Sequence, residues 1–140
     1  MALLRRLVED SRAVIVLSSA WRRDHRGRQV VSAMLHQHGI PNFIARTAVS
    51  GGARRLEIRR WLAANCHRVV AWVVLDDLPL TSTLPHTGGR GARQDTDFAA
   101  HFVQTDPQVG LKPKDIARGK QILEQAVATT SWRRPGASKY

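Results

Sequence analysis

The chain has 140 residues, of which 43% are hydrophobic, so it is long enough for one domain with its own core and too short for two domains of ordinary size. Its 22 Lys and Arg residues outnumber 11 Asp and Glu residues. The resulting formal charge of +11 favours a polyanionic partner: nucleic acid, nucleotides, phosphorylated substrates or an anionic membrane surface. Coding bias also produces Arg-rich chains, so charge alone does not establish such a partner. No apolar stretch approaches the ~20 residues that cross a bilayer, which argues against a membrane-spanning protein.

The single cysteine, Cys66, excludes an internal disulfide, which fits a reducing compartment. We therefore expect an intracellular, cytoplasmic protein that does not act at a membrane. Cys66 has no His or Cys partner at the spacing of metal ligands, so we expect it to be a buried residue at the end of a helix.

Helices and short strands alternate along the first half of the chain. Its start, Met1–Leu7, is basic and amphipathic like a targeting peptide, but Glu9 and Asp10 follow at once, so a first helix is the better interpretation. The spacing of apolar residues and the positions of glycines give the other elements. The predicted elements are a helix over Leu3–Val8, a strand over Ala13–Leu17, a helix through Val30–Leu35 that stops at Gly39, a strand over Asn42–Ala45 and a helix over Ala53–Asn65.

The last of these helices is predicted to have one apolar and one basic face. Its buried side is expected to consist of Leu56, Ile58, Trp61 and Leu62, and its outward side of Arg54, Arg55, Arg59 and Arg60.

The second half of the chain contains the strongest strand signal. Val69–Leu75 is nearly all apolar and rich in β-branched residues, so we expect a central strand that is covered on both faces. Pro79–Asp97 is rich in Gly, Thr and Arg and is predicted to be a flexible surface loop. A strand over His101–Gln104, a connection over Thr105–Lys112 and a helix from Pro113 follow. A disordered tail is expected over residues 131–140, so the single domain covers residues 1–130.

Strands that alternate with helices predict a parallel sheet with right-handed crossovers. The fold class is therefore α/β, with a three-layer Rossmann-like arrangement of about four parallel strands and helices on both faces. In open sheets of this kind, ligands bind at the carboxyl ends of the strands. The residues that follow Leu17 and Leu75 are therefore the candidate site residues.

Asp76 and Asp77 follow the second of these strands directly. Carboxylate oxygens are the ligands that Mg²⁺ prefers, and one or two of them suffice when water and a substrate phosphate complete the shell. The alternative is that the two aspartates cap the turn after the strand.

Ser18, Ser19 and Arg22 follow the first strand. The hydroxyls can hydrogen-bond phosphate oxygens, and the guanidinium can bind a phosphate with two parallel hydrogen bonds. The alternative is that one of the serines caps a helix. Trp21, Trp61 and Trp72 are expected to pack in or around the core rather than to stack on bases, and the six histidines are too scattered to be assigned a role.

Four segments together resemble the haloacid dehalogenase (HAD) superfamily, and most of all its small phosphatase-like branch found in multi-domain RNA repair proteins. They are Ile15–Arg22, Arg54-x-x-Glu57-Ile58-x-x-Trp61-Leu62, Trp72–Asp77, and Phe102–Asp106 followed by Gly110-Leu111. The likeness runs in order from Leu3 to Val127.

The resemblance implies Mg²⁺-dependent hydrolysis of phosphate monoesters through an aspartate nucleophile. Ser18 matches the hydroxyl that holds the transferring phosphoryl group, and Asp76 and Asp77 match the acidic motif of the metal site. Arg54 matches the basic residue that stabilises charge near the nucleophile, whereas Arg22 is a feature of this branch.

The resemblance also implies an Asp-x-Asp strand before the helix that leads into Val14, and the chain begins inside that helix. In the family this strand lies between the strands that end at Ser18 and at Asp76. Three outcomes are open: the two neighbours pair directly, another chain donates a strand or a second copy joins, or the sequence is an incomplete gene model of a longer enzyme. We favour the last.

The expected function is therefore that of a HAD-like phosphatase-related domain that is inactive alone, with phosphorylated substrates such as nucleic-acid ends. The alternative is a noncatalytic basic module that binds nucleic acid or a protein through the helix arginines together with Arg22, Arg23, Arg26 and Arg28.

Overall fold

The computed structural model describes residues 1–81 and 97–131 of the chain. The helices are α1 (Ala2–Ser11), α2 (His25–Gln37), α3 (Arg54–Ala64) and α4 (Pro113–Ser131), with a short 3-10 helix over Ala20–Arg22. The strands are β1 (Val16–Leu17), β2 (Ala45–Arg46), β3 (Val74–Asp76) and β4 (Phe102–Gln104). The predicted alternation of helices and strands is confirmed within the described part of the chain.

Two helix ends are set by local chemistry. The side chain of Asp24 accepts a hydrogen bond from Gly27 N at 2.6 Å, which caps the start of α2. Gly39 adopts a φ of 67°, which lets the chain leave the helix end in a left-handed turn, as its position predicted.

The strands form two separate sheets rather than the single sheet that we expected. β1 pairs with β2 and β3 pairs with β4, both in parallel, with Val16 opposite Ala45 and Leu75 opposite Val103. In the described residues β1 and β3 are not hydrogen-bonded to each other, so the two expected neighbours have not closed up into one sheet.

The prediction of a central, doubly covered strand over Val69–Leu75 was wrong for the described structure. β3 keeps only the end of that run, and Val70 is 60% exposed. β3 pairs with β4 only. Within the described residues, no strand is hydrogen-bonded to the other edge of β3.

Each sheet has its own hydrophobic cluster. The first joins α1 and α2 to the β1–β2 sheet and the second joins α3 to the β3–β4 sheet. The buried centre of the first cluster consists of Val8, Leu35 and Ile40, and that of the second of Ile58, Val74 and Phe98.

α4 links the two halves because it packs along α1 and also contacts β4. Gly119 of α4 faces Leu7 of α1, and a Cβ at Gly119 would make an ordinary contact with the Leu7 side chain at 3.4 Å. Lys120 Nζ of α4 donates to Asp10 Oδ2 of α1 at 2.7 Å, and this contact lowers the pKa of the Asp10 carboxyl.

Two predictions for α3 and the residues after it were wrong. Arg55, expected to point outward, is buried with its guanidinium 5.8 Å from the centre of the Phe98 ring, whereas Leu56 is 42% exposed. Cys66, expected to be buried, is exposed because it follows the end of α3 in a turn.

The three tryptophans differ in burial. Trp72 packs as predicted, stacked on His101 at a centroid distance of 4.2 Å, and Trp61 is half-buried. Trp21 is 55% exposed and lies outside both clusters.

Most of the predicted loop over Pro79–Asp97 and nearly all of the predicted tail lie outside the described residues. Among the helices that the structure describes, none is long and apolar enough to cross a membrane.

Candidate functional site

The tip of β1 is organised around the buried guanidinium of Arg22. The chain turns at Ser18 and Ser19 into the 3-10 helix, and Arg22 Nη1 donates back to their carbonyl oxygens at 2.6 and 2.8 Å. Arg22 Nε donates to Thr47 O at 3.0 Å, just beyond β2. One side chain therefore ties the ends of both strands of the first sheet together.

A further partner of Arg22 comes from α3. Arg22 Nη2 donates to Glu57 Oε2, and the other carboxylate oxygen of Glu57 accepts a hydrogen bond from Ser50 N at 2.9 Å. Both side chains of this ion pair are almost fully buried. The Ser50 hydrogen bond first, and then the positive charge of Arg22, hold the pKa of Glu57 below its ordinary value of 4.5.

The tip of β3 is held by the same helix. Arg54 Nη1, in the first turn of α3, donates to both carboxylate oxygens of Asp76, at 2.9 and 2.7 Å. Asp76 Oδ1 also accepts from Leu78 N at 3.0 Å, so this aspartate does cap the turn after the strand as well as pairing with Arg54. Asp77 is exposed.

Arg54 and Glu57 are three residues apart and therefore lie on the same side of α3. One of them holds the tip of β3 and the other holds the residue that ends the tip of β1. The first turn of α3 thus contacts both the hydroxyl-bearing tip and the acidic tip, although their strands belong to different sheets.

The predicted site residues have different environments. Ser18 and Ser19 are half-buried, and Ser19 precedes the 3-10 helix without a capping bond from its side chain. Arg22, predicted to bind phosphate, instead uses its guanidinium within the protein, because burial requires that its donors be satisfied. The structure therefore gives Arg22 a positioning role.

Comparison with known families identifies the architecture. The family model described as the HAD domain in Swiss Army Knife RNA repair proteins matches residues 1–116. The chain belongs to this family. Comparison of the HAD domain with curated proteins and with solved structures gave no significant match.

The HAD family is generally Mg²⁺-dependent, and the donor types here fit that ion. Asp76 and Asp77 supply hard carboxylate oxygens, and Mg²⁺ needs only one or two of these beside water and phosphate. Within residues 1–81 and 97–131, no group of three or more His, Cys, Asp or Glu side chains could hold a metal ion. Arg54 already neutralises Asp76 in the domain as it stands, so a metal ion at Asp76 competes with this guanidinium.

Glu57 and Thr47 of the HAD domain were not among the predicted site residues. The spacing from Arg54 to Glu57 was the available signal for Glu57, because it places both on one side of a helix. Thr47 gave no such signal. Its Oγ1 is the only buried side-chain polar atom without a hydrogen-bond partner in the described part of the chain.

A cavity of about 280 Å³ lies at the opposite end of α3 from Arg54. It is lined by Leu62, Cys66, Trp72 and Phe98 among others, and by none of the predicted site residues. The candidate site and this cavity therefore lie at different ends of α3.

Proposed function

We propose that this HAD domain forms the phosphate- and cation-binding part of a site for Mg²⁺-dependent hydrolysis of phosphate monoesters. The observation that carries the proposal is the bridge across α3, in which Arg54 holds Asp76 and Glu57 holds Arg22. It supports a shared site because each strand tip alone offers only part of the chemistry: hydroxyls at one and carboxylates at the other.

The roles follow from the position of each group. The hydroxyls of Ser18 and Ser19 would donate to phosphate oxygens, since Ser19 is not used for capping. Arg54 would offset phosphate charge beside Asp76, and Arg22 and Glu57 would position the tip of β1. Mg²⁺, held by Asp76 and Asp77 when bound, would supply neutralisation of the phosphate.

The domain of 140 residues is proposed to bind phosphate without turning it over. The family's mechanism needs an aspartate that attacks phosphorus, and Asp76 is a poor nucleophile because Arg54 and Leu78 N occupy its oxygens. We therefore expect this chain to bind phosphate groups without hydrolysing phosphate monoesters.

The substrate class that we propose is the phosphorylated end of a nucleic acid. The formal charge of +11 and the exposed Arg23 and Arg26 at the start of α2 favour a polyanion larger than a single phosphate. The family's occurrence in RNA repair proteins is consistent with this class.

A noncatalytic basic module is the second candidate. Two of the four arginines first considered for such a surface are already engaged: Arg22 is buried, and Arg28 Nη1 donates to the Arg22 carbonyl oxygen at 2.9 Å. Arg23 and Arg26 remain exposed and would carry this function without any terminal phosphate.

One experiment measures the affinity of the protein for a labelled RNA oligonucleotide with and without a 5′-phosphate, in the presence of Mg²⁺ and at several salt concentrations. In parallel, hydrolysis of an aryl phosphate is assayed. We expect tighter binding of the phosphorylated end, no hydrolysis, and a loss of about tenfold in that preference for Ser18→Ala. Ser32→Ala in α2 is the matched control and should leave the preference unchanged.

Equal binding of both oligonucleotides with a steep salt dependence would establish the basic module instead. Binding that does not respond to salt would contradict both candidates. Turnover of the aryl phosphate that disappears in Asp76→Asn would refute the proposed lack of hydrolysis.

A further inference from the structure

We propose that Trp21 is the stacking platform for the nucleobase next to the phosphorylated end of a single-stranded nucleic acid. The inference rests on the proposed function, because it takes Ser18 and Ser19 as the phosphate ligands, and it adds the side chain that holds the base. Phosphate contacts alone do not distinguish a nucleic-acid end from another phosphate monoester, whereas a contact with the base does.

The environment of Trp21 differs from that of the other tryptophans that the structure describes. Trp72 is stacked on His101 at a centroid distance of 4.2 Å, and Trp61 is half-buried. Trp21 was expected to pack in or around the core, but it is 55% exposed and belongs to neither hydrophobic cluster. Within residues 1–81 and 97–131, its indole has no ring partner and no hydrogen bond. Trp21 is therefore available to a ligand, and covering it would remove apolar surface from water.

The backbone that carries Trp21 is held from several sides. Arg22 N donates to Ser19 O at 3.1 Å, which closes the 3-10 turn around Trp21. Arg28 Nη1 of α2 donates to Arg22 O at 2.9 Å, and α2 packs so closely that a Cβ at Gly27 would overlap the Trp21 carbonyl oxygen. An aromatic residue on a backbone that is fixed before binding loses little conformational freedom when a ligand stacks on it.

Trp21 lies close to the hydroxyls that we propose to bind phosphate. Ser19 immediately precedes the 3-10 helix, and Trp21 is its second residue. Because a 3-10 helix rises about 2 Å per residue, the backbone of Trp21 lies about 4 Å beyond that of Ser19 along the axis. A phosphate at Ser18 and Ser19 and a base at Trp21 are therefore within the reach of one nucleotide.

The charges beside Trp21 match a nucleic-acid backbone. Arg23 and Arg26 follow it in sequence and are exposed. The carboxylate of Asp24, which lies between them, accepts a hydrogen bond from Gly27 N at 2.6 Å and caps α2. Single-stranded nucleic acids bind where basic side chains accompany the phosphates and aromatic rings accept the bases.

A protein partner that packs on apolar groups is the competing occupant. Val30 and Met34 are 37% and 45% exposed, and their spacing places them on one side of α2. Trp21 is instead adjacent in sequence to phosphate-binding hydroxyls and exposed arginines, so charge complementarity favours a polyanion.

The test measures the affinity of the 140-residue chain for RNA pentamers that carry a phosphate at the 5′ or the 3′ end, in the presence of Mg²⁺. Each pentamer is compared with one that lacks the base next to the phosphate. At the preferred end, we expect removal of this base to weaken binding about tenfold in the wild type and to have almost no effect in Trp21→Ala. Trp21→Phe should keep most of the base contribution, whereas Trp21→Leu, which is apolar without an aromatic face, should lose it. Val30→Ala is the matched control and should behave as the wild type.

Tryptophan fluorescence supplies a readout that a purely structural role of Trp21 would not produce. We expect the intact pentamer to quench the fluorescence and the pentamer without that base to leave it unchanged. The quenching should persist in Trp61→Phe and disappear in Trp21→Phe.

The preference for a phosphorylated end over an unphosphorylated one is measured separately and should survive in Trp21→Ala. A chain that shows this preference but does not respond to removal of the base, or responds equally in the wild type and Trp21→Ala, would overturn the inference and leave the proposed function standing. A base contribution that requires Trp21 without any phosphate preference would refute the proposed function and leave the stacking role. If Trp21→Ala reduced self-association in sedimentation but changed no oligonucleotide affinity, Trp21 would belong to a protein interface, contrary to the proposal.

Discussion

Arg22 shows how a residue's role can differ from the one that its type suggests. An arginine after a strand tip is a natural phosphate ligand, but here its neighbours include a buried carboxylate and three backbone carbonyl oxygens. Burying a guanidinium is costly unless its donors are satisfied, and these contacts satisfy them. The same contacts fix the position of Ser18 and Ser19, so Arg22 acts on the site through its neighbours.

We expect the Arg22–Glu57 ion pair to make the free energy of unfolding depend on pH. The folded pKa of Glu57 is lowered, so its contribution is fully present above the unfolded value of 4.5 and is lost as pH falls below it. Glu57→Gln should cost about 3 kcal/mol of unfolding free energy at pH 7, because it leaves a buried positive charge without its anion. Its stability should then vary less than the wild type's between pH 7 and pH about 3.5.

Chemical denaturation at several pH values measures this effect. Glu9→Gln is the matched control, since Glu9 is exposed and pairs with Arg5 on the surface of α1, where such pairs contribute little. If the free energy of unfolding changed with pH equally in the wild type and in Glu57→Gln, the ion pair with Arg22 would not be the source of the pH dependence.

At the scale of elements, the sequence predicted which segments are helices and strands better than how the strands associate. The helices over α1, α2 and α3 follow from apolar spacing and glycine stops, which are local signals. Whether the strands form one sheet or two depends on which elements lie beside β1 and β3. The apolar runs over 14–17 and 69–75 do not specify these neighbouring elements. The burial of Arg55 likewise depends on Phe98, which is distant in sequence.

A prediction at this scale concerns how α2 sits against the 3-10 helix. Gly27 lies in the first turn of α2, where an added Cβ would overlap the Trp21 carbonyl oxygen. Gly27→Ala should therefore destabilise the protein by about 2 kcal/mol, despite the better helix propensity of alanine. The expected cost arises from displacing the backbone that leads to Arg22.

Gly119→Ala in α4 is the matched control. Its Cβ would meet only the flexible Leu7 side chain, so the substitution should be neutral or stabilising by up to about 1 kcal/mol. Thermal melting compares the two variants, and equal stability would show that α2 does not press on the 3-10 helix as described.

On the scale of the whole molecule, two small sheets with separate cores are joined by α4 on one side and by the charged side of α3 on the other. Residues at both predicted strand ends are tied to the first turn of α3, even though the expected continuous sheet is not present. The part that sequence reasoning could not supply is the bridge itself, because Glu57 gains its importance only when Arg22 is buried beside it. The family match over residues 1–116 and this bridge together support our proposal that the two strand tips share one site.

The most direct test of that claim is side-chain NMR on isotopically labelled protein, with arginine guanidinium protons assigned. We expect cross-relaxation from the Arg22 guanidinium to Glu57 and from the Arg54 guanidinium to Asp76, both in one folded species. Detection of one contact without the other, in a protein whose α3 signals are otherwise native, would contradict the shared site.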